Sequence, residues 1–516
     1  MNAVMTKATA NPADDAYEAG LKLAQEGRHA EAIESFERAL NRQPDDARVL
    51  FALANTAQAV GHRDAAETFF RRVLEQQPDR REALVNLANL LRAGNRTQDV
   101  IALLKPALER TPGEAALWLT LGSALNEAGD RATAETFYRE ALRLSPGYPP
   151  ALGNLADILA DNGAIDEALA MYGEVLRDDS ENAQARLNRA ILFLIAGKLE
   201  SGWADYEYRL MLKGKALTRD HGLPRWDGTP KRNLRLLVAA EQGVGDQLAF
   251  VSLLPELADT LARQGGRVIL EAEPRLVPLF ARSFPKVRVH ASDMETRGEN
   301  KLAHYHWLPA VGGADCAIAM GSLPGLMRKA LGDFPKNHSY LAPSGERENW
   351  ARWLREQGSG PYIGLCWRSG LLGGARNLQY APLEAWGEFL KAVPGTLVSL
   401  QYDGRTEEIA ALEQMSGRRI FIPPDLDQKQ EMDRTSSLIA ALDAVASAPT
   451  AVSWIAAGLG VPTLKILYKI SWTALGTDYE PFAPACRCIM PDENGDWGTT
   501  FARAATALNA IGPSRS

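Results

Sequence analysis

The chain has 516 residues, beyond the roughly 250 to 300 at which one hydrophobic core stops growing, so a single compact domain is excluded. Its composition, 46% hydrophobic, 23% charged and 7% aromatic, is globular and excludes a disordered or collagen-like chain. A net charge of −7 supplies no basic field for a phosphate backbone, which argues against nucleic acid as the main partner.

The opening stretch, MNAVMTKATANPADDA, has no apolar run between a basic start and a cleavage site, so no secretory signal is expected. A 34-residue period then begins. Small residues recur at Ala32, Ala66, Ala134 and Ala168, with Val100 in the third place, and large ones follow four later at Phe36, Phe70, Leu104, Tyr138 and Tyr172. Pro44, Pro78, Pro112 and Pro146 close the units, and Gly27, Gly61, Gly129 and Gly163 fall where one helix ends and the next begins. Each unit reads as a helical hairpin. The pattern resembles the tetratricopeptide repeat, with about five full units from Asp14 to Ser180 and an imperfect sixth through Gly197, Trp203 and Tyr206. A solenoid of about 5.5 repeats over residues 14–212 is expected, its inner groove built by the first helix of each unit.

One phase of that groove reads Asn86, Thr120, Asn154, Asn188, with Ala52 before it. A repeated amide offers donor and acceptor to the backbone of an extended peptide. The run is similar to the asparagine ladder of O-linked N-acetylglucosamine transferases, which implies an acceptor-binding role; tolerated polar residues on these helices are the alternative. Residues 213–232 are rich in Gly, Pro and charge and form a junction, where Trp226 is expected to pack between the solenoid and the next domain.

From Leu234 the pattern changes to short apolar runs alternating with helices: LRLLVAA, a glycine turn, the helical DQLAFVSLLPELADTLARQ, then RVILEA. This is the βαβ unit of a parallel sheet. A second series runs through YIGLCW, TLVSLQ, DAVAS and VPTLKIL, so two Rossmann-type lobes are expected, over residues 233–345 and 360–510. The uncharged stretch from Ala444 to Leu464 is broken by Pro449, Gly458, Gly460 and Pro462 and reads as strand, helix and strand, not as a membrane span.

Ligands of such sheets sit beyond the carboxyl ends of the strands, which singles out four loops. In the first, Gly243 and Gly245 permit close backbone approach, and Asp246 either caps a helix or serves as a general base. The second holds Trp367, Arg368, Ser369, Gly373, Gly374 and Arg376, a set suited to a donor phosphate, with solvated arginines as the other reading. Gln401 ends the third strand, where it reads a base or ribose or is simply a strand-end polar residue. In the fourth, Thr450, Ala451 and Ser453 open a helix whose free amides suit an anion, with Trp454 beside them.

These loops, with the segment QLAFVSLLPELA, resemble the heptosyltransferase-like glycosyltransferases of the GT-B fold, and more closely the bacterial proteins that join such a domain to tetratricopeptide repeats. The resemblance implies that Asp246 is the base and that the second lobe holds a nucleotide-activated sugar. The chain departs from that pattern, roughly D-T-x-x-x-H, at Pro449 and Trp454. Losing a carboxylate there suits an anionic donor such as a CMP-linked nonulosonic acid, with Trp454 stacking where a histidine would hydrogen-bond.

No metal is expected, since arginines and a helix terminus neutralise a departing phosphate. His304 and His306 are expected to pack or touch an acceptor, and Cys316, Cys366, Cys486 and Cys488 to be free thiols of a reducing cytoplasm, the last two alternatively a redox or soft-metal pair. The expected function is a cytoplasmic, metal-independent protein O-glycosyltransferase needing no cofactor besides its nucleotide-sugar substrate. Its acceptor is bound by the repeats, with flagellin implied as one candidate by the resemblance. The rival reading is a scaffold whose transferase domain has lost its chemistry. Sugar, acceptor, stereochemistry and oligomeric state stay open.

Overall fold

The computed structural model describes residues 12–212, 217–241, 243–297, 300–336, 339–370, 380–403, 406–491 and 496–510. Two compact units meet in sequence at Ile158 and Leu159.

The first unit is all helical: α1 (Pro12–Gln25), α2 (His29–Arg42), α3 (Ala47–Ala59), α4 (Arg63–Gln76), α5 (Arg81–Ala93), α6 (Thr97–Arg110), α7 (Ala115–Glu127), α8 (Arg131–Leu144) and most of α9 (Pro149–Asp161). The periodic residues are its core: Ala32, Phe36, Ala66, Phe70, Val100, Leu104, Ala134 and Tyr138 are all buried. Within each hairpin the turn needs a left-handed residue, and Gly27, Gly61 and Gly129 provide it at φ of +76°, +84° and +92°. The third hairpin lacks that glycine; Asn95 takes the conformation instead, at φ +58°.

The second unit opens with α10 (Ile165–Asp178), α11 (Ala183–Ile195) and the short α12 (Leu199–Tyr206), which tightens into a 3-10 turn over Glu207–Met211. This last hairpin shares a core with the α/β region. Trp203, 3% exposed, donates its indole N–H to the Arg328 carbonyl at 2.9 Å and packs edge-on to Trp472 and Phe482. The junction brings β1 (Leu217–Arg219), and Trp226 is buried beside the first lobe, its backbone N–H bonded to Ala317.

The first lobe then runs β2 (Arg235–Ala239), α13 (Val244–Phe250), α14 (Leu254–Ala262), β3 (Arg267–Ala272), α15 (Val277–Ser283), β4 (Val287–Ala291), β5 (Asp293–Arg297), β6 (Asn300–His304), β7 (Cys316–Ala319) and α16 (Leu323–Met327). The expected single helix after β2 is split: a 3-10 turn at Val251–Leu253 precedes α14, where Pro255, lacking an N–H, suits a helix start and not an interior. After α17 (Arg347–Gln357) the second lobe runs β8 (Tyr362–Cys366), α18 (Leu383–Ala392), β9 (Thr396–Ser399), α19 (Thr406–Ser416), β10 (Ile420–Phe421), α20 (Met432–Ile439), β11 (Ala444–Ser447), α21 (Ala451–Gly458), β12 (Thr463–Ile466), β13 (Cys486–Ile489) and α22 (Trp497–Asn509).

Both main sheets are parallel. The first has the order β4-β3-β2-β7, the second β10-β9-β8-β11-β12-β13. A third, small sheet pairs β6 with β1 in parallel and with β5 antiparallel. In each main sheet the chain reverses its winding direction beside the first strand of the lobe, between β2 and β7 and between β8 and β11. Such a switch point leaves a crevice at the strands' carboxyl ends, because the flanking connections depart to opposite sides. The uncharged segment forms β11, α21 and β12, and among the described residues no helix is long and apolar enough to cross a membrane.

Candidate functional site

Loops from both lobes meet around a cavity of about 610 Å³. Gly243, Val244 and Gly245 come from the end of β2, Ser369 and Gly370 from the end of β8, Tyr402 and Asp403 from the end of β9, and Thr450, Ala451 and Val452 from the end of β11. Arg275, Lys301 and Lys429 add three cationic side chains. Two helices present their N-termini here, α13 capped by Gly243 and α21 by Thr450, whose hydroxyl makes no capping hydrogen bond to its helix. The first-turn amides of α21 therefore face the cavity with the positive end of the helix dipole.

The sequence-predicted residues divide. Gly243, Gly245, Ser369, Thr450 and Ala451 line the cavity. Ser369 accepts from the Tyr402 hydroxyl at 3.1 Å, which also receives the Gly370 N–H at 3.0 Å, so Tyr402 pins this turn. Thr450 Oγ1 sits 3.2 Å from Ser447 Oγ, and Ser453, fully buried, donates to the Thr450 carbonyl. Four others are turned to internal use. Arg368 is 7% exposed and ion-pairs with both Asp403 and Glu408. Trp367 is buried and donates to Glu408 at 2.7 Å. Gln401 accepts from the backbone N–H groups of Trp367 and Arg368 and donates to the Arg368 carbonyl at 3.0 Å, so it clamps the loop after β8. Trp454 does not line the cavity. It is buried, carries the Lys465 ammonium 3.9 Å above its ring, and that ammonium pairs with Glu480 at 2.7 Å. A bare β8 loop would expose a strong cation; the neighbouring acids of α19 and the β9 loop explain its diversion. Arg376, Gly373 and Gly374 lie outside the described residues.

Asp246 stands in the first turn of α13 but does not cap it, since Gly243 is the cap. Its carboxylate folds back over Gly243, 2.5 Å from where a β-carbon on that glycine would lie. Burial, and then the negative charge of Glu241, push its pKa up to about 6, while Arg209 opposes the shift. Glu241 in turn accepts from Arg209 Nη2 at 2.7 Å and from the Gly321 N–H at 2.9 Å. Sequence reasoning missed Arg209, Arg275, Lys301 and Lys429. None sits in a motif; the lobe topology brings Arg275, Lys301 and Lys429 to the cavity and Arg209 to Glu241 at the end of β2.

The ladder amides bond to neighbours within their own units. Asn86 Nδ2 donates to Asn55 Oδ1 at 2.8 Å and Asn154 Nδ2 to Ser123 Oγ at 3.0 Å, each spanning adjacent hairpins. Thr120 bonds its own helix at the Ala116 carbonyl. Asn188, on α11, donates to the Tyr172 hydroxyl at 2.9 Å. His304 contacts Asp220 at 2.9 Å and Glu295 at 3.3 Å, and His306 lies 3.5 Å from Asp293, which makes both part of carboxylate pairs beside the small sheet. The four cysteines are free and buried, and burial pushes the Cys486 thiol up to about 12. Among the described residues no group of three or more His, Cys, Asp or Glu gathers as metal ligands would.

The chain is a tetratricopeptide-repeat protein with a C-terminal α/β region. The tetratricopeptide-repeat family model matches residues 23–90, 61–125 and 125–190. Protein FlbA of Caulobacter vibrioides is 34% identical over 329 residues, which are 63% of this chain and 55% of FlbA, so the chain spans about half the length of that curated relative. Among solved structures, the repeat protein TTC0263 of Thermus thermophilus is 26% identical over 35% of this chain and 99% of its own, with a TM-score of 0.31. PilW, a type IV pilus biogenesis factor, is 23% identical over 40% of this chain and 94% of its own, with a TM-score of 0.34.

Proposed function

We propose that the chain is a GT-B-like, metal-independent glycosyltransferase that moves a sugar from a nucleotide-activated donor to a Ser or Thr hydroxyl of a protein held by the repeats. The observation that carries this reading is the cavity of about 610 Å³ at the meeting of two switch-point lobes, edged by the N-terminus of α21. That edge and the side chains of Lys301 and Lys429 suit the phosphate of a nucleotide sugar, while Arg275 is held by Glu273 at 2.7 Å. Asp403, the one lining carboxylate among the described residues, is paired with Arg368, and Arg275 is paired with Glu273, so Lys301 and Lys429 tilt the cavity's balance toward an anion. An anionic donor such as a CMP-linked nonulosonic acid fits that balance, and flagellin is the acceptor we would try first.

In the step proposed, the acceptor oxygen forms a bond to the anomeric carbon as the bond from that carbon to the donor phosphate breaks. The proton of the hydroxyl passes to Asp246, which is ionised above about pH 6 and lies against the cavity-lining Gly243. The departing phosphate keeps the electron pair and is stabilised by the α21 amides and the cations. The test is transfer of sugar to acceptor followed by intact-protein mass spectrometry. D246N should retain donor binding and lose at least ~100-fold in rate; wild-type turnover would remove Asp246 from the step.

A second reading is favoured by one observation. Arg368, Gln401 and Trp454, the residues a donor would meet in the sequence pattern, are all spent on internal contacts. A scaffold with a silent transferase domain would show that arrangement and bind no nucleotide.

A further inference from the structure

The first lobe's switch point, between β2 and β7, is where a parallel sheet of this order takes a ligand. Here it is filled from within the chain. Arg209, on the 3-10 turn that ends the sixth hairpin, has a side chain only 9% exposed and reaches Glu241 at the end of β2 and Ser322 Oγ after β7, at 2.7 and 3.2 Å. Glu207 on the same turn accepts from Ser322 Oγ at 3.1 Å. The fit leaves no spare room: a β-carbon on Gly321 would lie 2.8 Å from Glu241 Oε1, 2.9 Å from Arg209 Nη2 and 3.1 Å from the Phe250 ring. Phe250 is one helical turn beyond Asp246 on α13, so both project from the same face, the face turned toward this ion pair.

We infer that Arg209 is a positioning residue: it occupies the first lobe's ligand crevice, holds Glu241 there, and sets the charge that Asp246 meets. The inference rests on the proposed role of Asp246 only for its effect on rate. The charged and titratable groups facing Asp246 are Glu241 on the β2 loop and Arg209 and Tyr206 on the hairpin's end, with Glu207 beside Tyr206. Glu241 disfavours the Asp246 carboxylate and Arg209 favours it, so removing one should move its titration opposite to removing the other. A role confined to packing has no such sign.

The experiment measures, on the full chain, the effect of D246N on melting temperature from pH 4.5 to 8 in the wild-type, R209Q, R209K and E241Q backgrounds. The pH at which that effect levels off reports the folded-state titration of Asp246. We expect it near 6 in the wild type and with R209K, higher by roughly one pH unit with R209Q, and lower with E241Q. Equal midpoints, or shifts of one sign in R209Q and E241Q, would overturn the inference; should R209Q not fold, an unmoved midpoint in E241Q overturns it alone. A midpoint that moves while the acid limb of sugar transfer stays fixed supports the positioning role and defeats Asp246 as the base.

Discussion

Gly245 on α13 and Trp454 on α21 meet across the two lobes, with room for one methyl between them. A β-carbon added at Gly245 would lie 3.6 Å from Trp454 Cδ1 and 3.7 Å from Nε1, an ordinary contact distance. G245A therefore fits, and since alanine suits a helix better it should match or exceed the wild type in stability by up to about 1 kcal/mol. A branched side chain adds two methyls beside that ring. G245V should push α21 and the Thr450 loop away from Gly243, lowering nucleotide affinity at least ~10-fold while G245A leaves it within ~2-fold, as read by titration calorimetry.

Asp246 makes a prediction about stability and pH. Its folded-state pKa, about 6, lies above the ordinary carboxyl value near 3.9, so the native state binds the proton more tightly than the unfolded chain. The stability this provides is complete below about pH 4 and is lost as pH rises through 6. D246N escapes that loss. It should be more stable than the wild type by about 2 to 3 kcal/mol at pH 7.5, with the difference shrinking toward zero by pH 4, in denaturant melts followed by circular dichroism.

The asparagine phase can be tested against its own cross-links. Asn86 and Asn154 bond Asn55 and Ser123, so an alanine at either removes an internal hydrogen bond as well as any peptide contact. The triple change N86A, N154A and N188A should weaken acceptor capture roughly tenfold or more, at about 0.5 to 1.5 kcal/mol per lost backbone contact, with donor affinity intact. N55A breaks a cross-link and spares the ladder. If N55A weakens capture as much as N86A does, the phase serves the solenoid and not the acceptor.

A chain beginning at Leu217 should fail to fold stably. It would lack Trp203, Tyr206 and Leu199, all buried in one core with Phe482, Phe250 and Val238, and it would leave Glu241 without Arg209. Removing three large side chains of this kind costs several kcal/mol, comparable to the whole stability of a domain. Intrinsic fluorescence and hydrodynamic radius of that fragment would decide it; a compact fragment with a cooperative melt would contradict the account.

Much of the fold was legible because it is periodic or hydrophobic. The Ala32, Phe36, Ala66, Phe70 series became the helical core, and LRLLVAA, RVILEA, YIGLCW, TLVSLQ, DAVAS and VPTLKIL contain β2, β3, β8, β9, β11 and β12. The edge strands β4, β7, β10 and β13 were not; an arginine interrupts the apolar run in β4 and β13, and β10 has only two residues. Loop positions after strands were legible too, but side-chain direction was not. Arg368 and Gln401 look like ligand contacts in one dimension, yet Glu408, forty residues after Arg368, draws the guanidinium inward. Arg209 stayed hidden for the converse reason: on a short turn after α12 it has no local signature, and its partner Glu241 is 32 residues away.

The central claim is that the cavity between the lobes takes a nucleotide. Titration calorimetry of the full chain with cytidine, uridine, guanosine and adenosine mono- and diphosphates tests it directly. One nucleotide should bind one to one, with affinity reduced at least ~10-fold when Lys301 and Lys429 are both changed to Ala, because two cations near the phosphate are lost. No measurable binding by any member of the panel, or binding indifferent to that double change, would contradict the account and leave the scaffold reading standing.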